Sequence, residues 1–251
     1  MKHIPIILAQ HIEDAAVLWE RRKRAVNAPH YNTMYLGRLD EQLEAHLDGL
    51  RIAGPAGWDT AVEAFEGIQG EGEAFTLSTL AFGHKDASLI PILIDMIKAD
   101  PKTFLGPAAS GIGWLPRSAL HGKVDPLLND PDPIARALGV GACALHRVDP
   151  GKRLAQYLAD APGVRRRAAR LAGEIGRVDL LPEIQNLCGD DDPETAYEIL
   201  DSWMASQPSG VEGRRQMPYF ELTEEEMRGL AEFLRWADQT DTQGWPPNDA
   251  G

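Results

Sequence analysis

The sequence predicts an all-α protein, a solenoid of stacked helix pairs, and three observations carry that reading. Residues 134–149 lie over residues 164–179 at a constant offset of 30, with Arg136 on Arg166, Leu145 on Ile175 and Arg147-Val148-Asp149 on Arg177-Val178-Asp179. Self-similarity at such a period marks a repeat architecture, because one short helix pair cannot bury its own apolar face and neighbours must supply the core. Apolar residues recur at three- and four-residue spacing, and no segment of useful length alternates with period two. The chain's 18 prolines punctuate such helix pairs.

Taken in order, the apolar run at residues 4–9 is shorter than a signal peptide's hydrophobic region, and Gln10, His11, Glu13 and Asp14 follow at once. No stretch approaches the length that spans a bilayer, so the expected location is the cytoplasm. Residues 1–70 read as a helical cap region. A helix beginning near Leu36 sets Leu39, Leu43, Leu47 and Leu50 on one face, and Asp40, Glu41, Glu44 and Asp48 on a solvated one. Residues 71–205 read as the repeats. Residues 72–83 with 87–99 form one helix pair, and residues 101–112 with 116–128 another. In the two clearest copies a helix buries Ala135, Leu138, Ala142 and Leu145, or their equivalents. Asp132-Pro133 starts the first of them, since Asp caps free N–H groups and Pro suits the first helical position. The Arg-Val-Asp turn ends each helix, and its Asp is expected to cap a shorter one bearing Leu154, Tyr157 and Leu158, then Leu181, Ile184 and Leu187. Residues 193–205 begin a further repeat, 206–212 form a linker, and 213–251 differ in composition.

Bulk properties narrow the function. With 38 acidic against 25 basic side chains the formal charge is −13. That field repels nucleic acid and anionic membranes unless the cations are segregated, which disfavours nucleic acid as the partner. The short basic clusters Arg21–Arg24 and Arg165–Arg167 are a small footprint against it and read as solvated or paired arginines. Two cysteines, Cys143 and Cys188, exclude a disulfide framework.

The Asp-Pro start, the helix Arg136 and Arg166, the Ala-rich first helices and the Arg-Val-Asp turn before Leu181-Pro-Glu-Ile184 resemble HEAT repeats of the short bacterial type. The N-terminal stretches Gln10-His-Ile-Glu-Asp-Ala-Ala-Val-Leu-Trp19, Ala28-Pro-His-Tyr31 and Leu39-Asp-Glu-Gln-Leu-Glu-Ala-His-Leu-Asp-Gly-Leu-Arg51 look like an uncharacterised bacterial HEAT-repeat family, sometimes encoded near type VI secretion genes. The resemblance covers residues 8–205. It implies a HEAT-like α-solenoid and no catalytic residues.

The last segment has its own pattern. Thr223 with Glu226 forms a capping box, Leu230, Phe233, Leu234 and Ala237 make an apolar stripe, and Gly244-Trp-Pro-Pro247 cannot continue a helix. Residues 213–251 are similar to the C-terminus of the cytochrome c subunit of bacterial nitric oxide reductases. There a Met-Pro-x-Phe-x-Leu-Thr segment supplies the axial methionine of a haem, which by resemblance would be Met217. Covalent haem is not expected here, because the chain contains no Cys-x-x-Cys-His and Cys143-Ala-Leu-His146 lacks the second cysteine.

The remaining candidates are surfaces. Cys143 and His146 share a helix face, but with no second ligand pair the cysteine reads as a small core residue and no metal is expected. The acids of the Leu36 helix lack a pocket for acid–base work. Trp19, His30, Tyr31 and Tyr35 gather aromatics near a helix junction and either cap the open end of the helix stack, the more frequent role, or anchor a partner. On the second helices of the repeats, Lys152, Arg153, Gln156, Glu183 and Gln185 are candidate contacts. Nucleophile, phosphate-loop, dinucleotide and His-Glu-x-x-His motifs are absent. The expected function is a non-enzymatic scaffold or adaptor for another protein, or a homo-oligomer. The alternatives are a redox-associated role through the tail and a HEAT-like lyase or glycosylase.

Overall fold

The computed structural model describes residues 4–26, 28 and 30–188, and every regular element among them is helical. The expected helix at 193–205, the linker 206–212 and the whole of 213–251, Met217 included, lie outside the described residues. Two compact units divide the chain between His146 and Arg147.

The first unit holds α1 (Pro5–Ala25), α2 (Thr33–Ala53), α3 (Pro55–Ile68), α4 (Glu71–Gly83), α5 (Ile90–Ile97), α6 (Pro101–Trp114), a 3-10 turn at Arg117–Leu120, α7 (Val124–Leu128) and α8 (Pro133–Leu145). Local chemistry sets the boundaries. Pro5, Pro55, Pro101 and Pro133 each open a helix, where the missing N–H costs nothing. The Asp132 carboxylate accepts from Ile134 N at 2.9 Å, so the expected Asp-Pro start is capped, and Asp100 caps α6 in the same way by accepting from Thr103 N at 3.3 Å. Asn32 caps α2 by accepting from Tyr35 N at 3.0 Å, and Gly54, at φ +60°, turns the chain into α3.

The unit is built around α4. It packs against α1, α2, α3, α5 and α6, and every residue from Gly72 to Phe82 is buried. A helix with no polar face has to sit inside a bundle. Its hydroxyls are absorbed by backbone carbonyls: Thr76 donates to Gly72 O, Thr79 to Phe75 O, and Ser78 across to Ala108 O of α6 at 2.6 Å. Small residues set the crossings. A Cβ on Gly72 would lie 2.6 Å from the Ala16 Cβ of α1, and one on Gly111 of α6 would lie 2.6 Å from Phe75 O. Phe75 stacks on Trp19, their centroids 5.2 Å apart, and meets Trp114 edge-on at 5.9 Å, with Ala15, Leu43 and Leu47 completing this part of the core. The leucine face expected on α2 is the buried one: Leu43, Leu47 and Leu50 have no exposed surface.

Three expectations are corrected. Residues 116–128 are not one helix: Pro116, extended, leads into the 3-10 turn, and α7 follows only at Val124. Leu145, expected in the core, is 41% exposed, because it lies on the last turn of α8 against the bare backbone of Gly113. Asp149 does not cap the following helix. Its carboxylate instead closes a local turn by accepting from Gly151 N at 2.7 Å.

The second unit contains α9 (Arg153–Leu158), α10 (Pro162–Ile175), a 3-10 turn at Val178–Leu180 and α11 (Leu181–Cys188). Leu154, Tyr157 and Leu158 are buried with Val164, Ala168, Leu171 and Ala172. Gly176, at φ +73°, ends α10 in the left-handed conformation that glycine adopts without strain. Leu180 is buried and Leu181 is 47% exposed, so the apolar residue expected at 181 is supplied one position earlier by the 3-10 turn. Arg177 ties the two Arg-Val-Asp turns together, pairing with Asp149 at 3.2 Å and Asp179 at 2.8 Å. That pairing holds the Asp179 carboxyl below the usual carboxylate range.

The Gly111 crossing is testable. Alanine there gains helix propensity worth about 1 kcal/mol, but its methyl must displace the α4 backbone, and overpacking of a close crossing costs about 1–3 kcal/mol. Gly111→Ala is expected to lower the unfolding midpoint in thermal denaturation, whereas a rise would show that α4 and α6 separate at little cost.

Candidate interaction surfaces

Most cations on the α1–α2 hairpin are paired with carboxylates. Arg22 pairs bidentately with Asp40 and lies 5.3 Å from the Trp114 ring centre; Lys23 pairs with Glu71, and Arg24 with Glu20. Arg51 joins Glu44 and Asp48, and the second Glu44 oxygen accepts from the Trp114 indole. The Arg21–Arg24 cluster is therefore mainly paired, as the charge balance implied, and the acids at 40, 44 and 48 hold cations. In Arg165–Arg167, Arg165 donates to Asp160 O and Arg167 to Gly163 O.

The aromatic group divides. Trp19 is a core residue, 5% exposed, whose indole donates to Ser110 Oγ at 3.2 Å, so it is not available to a partner. His30 and Tyr35 are exposed and Tyr31 is half-buried, and they cluster at the α1–α2 corner: His30 and Tyr31 centroids are 5.2 Å apart, Tyr31 and Tyr35 6.5 Å. Arg21 donates twice to the Tyr31 hydroxyl, at 3.2 and 3.3 Å, and Arg38 stands over the Tyr35 ring at 5.8 Å. Met34 is 55% exposed beside them.

In the second unit Lys152 and Gln156 are exposed on and just before α9, Arg153 is half-buried, and Glu183 is exposed on α11, while the Gln185 side chain lies outside the described residues.

A cavity of about 440 Å³ opens between α5, α7 and α8. Ile90, Ile94 and Leu127 line it, and Lys98, paired with Asp132 at 2.6 Å and Asp95 at 2.9 Å, closes one side. Lys123, 8% exposed, also borders it but is occupied elsewhere: its ammonium donates to Phe82 O, His84 O and Ala119 O, capping the end of α4. Burial pushes its pKa down, countered by Asp86.

Cys143 is buried, and the His146 ring lies 3.2 Å from Ile112 O, to which Nε2–H donates. His11 and His46 meet across α1 and α2, Nδ1 to Nδ1 at 3.0 Å, with Asp14 3.7 Å from His46. Among the described residues no group of three or more His, Cys, Asp or Glu is placed to hold a metal ion, and no helix is long and apolar enough to cross a membrane.

Sequence reasoning missed Glu73 and Lys123. Glu73, 7% exposed, sits three positions after the Gly70 N-cap and curls back over it, so close that a Cβ on Gly70 would overlap its Oε2. The N-cap-to-third-residue spacing was the available signal. Burial raises its pKa, opposed by its own backbone N–H and reinforced by Glu20. Lys123 left no signal, since its acceptors lie on carbonyls far away in sequence.

Comparison with known proteins locates one similarity. The chain is 75% identical over 61 residues to the C subunit of nitric oxide reductase from Cereibacter sphaeroides, covering 24% of this chain and 42% of that protein. The same subunit from Paracoccus denitrificans is 54% identical over 83 residues, 33% of this chain and 52% of that one. Its counterpart from Halomonas halodenitrificans is 46% identical over 74 residues, 28% and 49% respectively. The chain thus spans about half the length of the curated relatives it matches. No family model matches it, and no solved structure does.

The Glu73 environment makes a pH prediction. A carboxyl whose folded-state pKa lies above its unfolded value costs stability once pH rises through the unfolded and then the folded pKa, and costs nothing below both. Glu73→Gln is expected to raise the thermal midpoint at neutral pH, and the gain should vanish below the ordinary glutamate range. An equal gain at both pH values would assign the effect to something other than the buried charge.

Proposed function

We propose that this chain is a non-enzymatic, helical interaction protein associated with a redox complex of the nitric oxide reductase type. The observation that carries the association is the 75% identity to a nitric oxide reductase subunit over 61 residues. That length exceeds the 39 positions of residues 213–251, where the Met217-Pro-x-Phe-x-Leu-Thr223 and Asp241-Thr-x-x-Trp-Pro-Pro-Asn248 patterns fall. A stretch so similar to one part of a multi-subunit enzyme is suited to contacts with that enzyme's other parts. The helical units then act as carrier and adaptor.

The internal 30-residue repeat and the Arg177 bridge between its two turns support a HEAT-like solenoid as the architecture of the adaptor. A type VI secretion setting rests on resemblance alone. The lyase or glycosylase reading has less behind it. The buried acid Glu73 is folded onto its own helix end instead of facing the cavity, and of the acids that line the cavity Asp95 and Asp132 are paired with Lys98.

Covalent attachment of haem does not fit the sequence. Covalent attachment needs two cysteines and a histidine in Cys-x-x-Cys-His, and this chain has none. Buried Cys143 and the carbonyl-bonded His146 do not substitute. After incubation with haemin and passage through denaturant, the protein is expected to retain no Soret absorbance, and a retained band would restore the redox-carrier alternative.

The association is tested by capture of detergent-solubilised nitric oxide reductase on the immobilised full chain. Retention, weakened by Phe233→Asp within the stripe of Leu230, Phe233, Leu234 and Ala237, is the expected result. No retention, or retention indifferent to that change, would remove the segment's docking role.

A further inference from the structure

Two arginines of the α1–α2 hairpin differ from its other cations. Arg22, Lys23, Arg24 and Arg51 each meet a carboxylate of the same unit, but Arg21 and Arg38 have none within ion-pair distance among the described residues. Both are exposed and both are held by aromatic residues: Arg21 by the Tyr31 hydroxyl and Arg38 by the face of the Tyr35 ring. These contacts restrict the guanidiniums without neutralising them, so part of the entropic cost of binding is already met. Beside them Met34 and Tyr35 are 55% and 45% exposed. Arginine, tyrosine and methionine are enriched at protein interfaces, and arginine and tyrosine among the residues that dominate their energy.

We propose that this corner binds an acidic segment of a partner protein, with its carboxylates on Arg21 and Arg38 and an apolar side chain on Met34 and Tyr35. Charge decides the class of partner. On a chain of net −13, two guanidiniums at one corner meet no carboxylate within ion-pair distance among the described residues. The planar guanidinium fork matches a carboxylate in two parallel hydrogen bonds. Phosphates also pair with arginine, and bases stack on tyrosine. A nucleic acid, however, brings one charge per nucleotide into the repulsive field of the whole molecule, whereas a protein segment brings a few carboxylates to one place. The proposal rests on the interaction-protein part of the proposed function and is independent of the reductase association. A failed reductase capture would leave it standing.

The test uses the full chain, isotopically labelled, titrated with a synthetic peptide of alternating Asp, Glu and Phe. The same peptide with Lys in place of the acids and an oligothymidine serve as the other probes. Saturable binding is expected for the acidic peptide alone, with shifts of the Arg21 and Arg38 Nε–Hε signals. Arg21→Glu with Arg38→Glu should weaken it about tenfold or more, and Tyr35→Ala several-fold. Reversing the exposed Lys85, remote in sequence from the corner, should leave it unchanged. Equal loss on Lys85→Glu would reduce the effect to general electrostatics and overturn the proposal. Tighter binding of oligothymidine at the same arginines would overturn it in favour of nucleic acid, and no shift at either arginine would overturn it outright. Both side chains are exposed, so the double variant is expected to fold, and its thermal midpoint checks this.

Discussion

The first unit depends on a helix that has no solvent face. From Gly72 to Phe82 every side of α4 is covered by neighbouring helices, and its polar atoms must find partners without water. The hydroxyls do so through Thr76, Thr79 and Ser78, and the Phe82 carbonyl near the end of the helix receives the Lys123 ammonium. At the other end Glu73 closes over the N-cap and remains the one buried acid among the described residues. Close approach follows from composition: glycine at 72 and 111 lets α1 and α6 reach the α4 backbone, where larger residues would hold them away. Burial of a whole helix draws the surrounding helices together, so the interior determines which residues remain for function on the outside.

Outside, the arrangement of charge sets one corner of the α1–α2 hairpin apart. An excess of carboxylates surrounds most cations and neutralises them in short pairs, as with Arg22 and Asp40 or Arg51 with Glu44 and Asp48. Exposed pairs of this kind contribute little to stability. Their effect is to erase positive potential from most of the α1–α2 hairpin. The corner with Arg21, Tyr31, Tyr35 and Arg38 stands out because its cations are held by aromatic groups and meet no carboxylate among the described residues. The cavity between α5, α7 and α8 is the opposite case, since Lys98 is matched by Asp132 and Asp95, and Lys123 is consumed by carbonyls.

Much of the fold was legible because local rules set it. Asp132 caps the helix that its Asp-Pro pair announced, and Leu43, Leu47 and Leu50 lie on the buried stripe that their spacing required. Legibility ended where two local signals competed. Residues 116–128 have helical spacing, but Pro116 is extended and a 3-10 turn intervenes. Asp149 had a helix to cap and a turn to close, and the nearer N–H of Gly151 took its carboxylate. The candidate sites were less legible still. Trp19 and Tyr35 look alike in sequence, yet one is stacked on Phe75 in the core and the other faces solvent.

By itself the sequence determined the helical class, the positions of most helix starts, the 30-residue repeat and the likeness of its last segment to part of a reductase. Each of these is written in residues close together along the chain, or in direct comparison of residues. Only the tertiary structure decided which cations are neutralised, which aromatics are core, and that Lys123 caps a helix from about 40 positions away. Those outcomes depend on pairings between distant segments. An arginine's function rests on whether a carboxylate from another helix arrives within reach, and spacing along one helix carries no record of that.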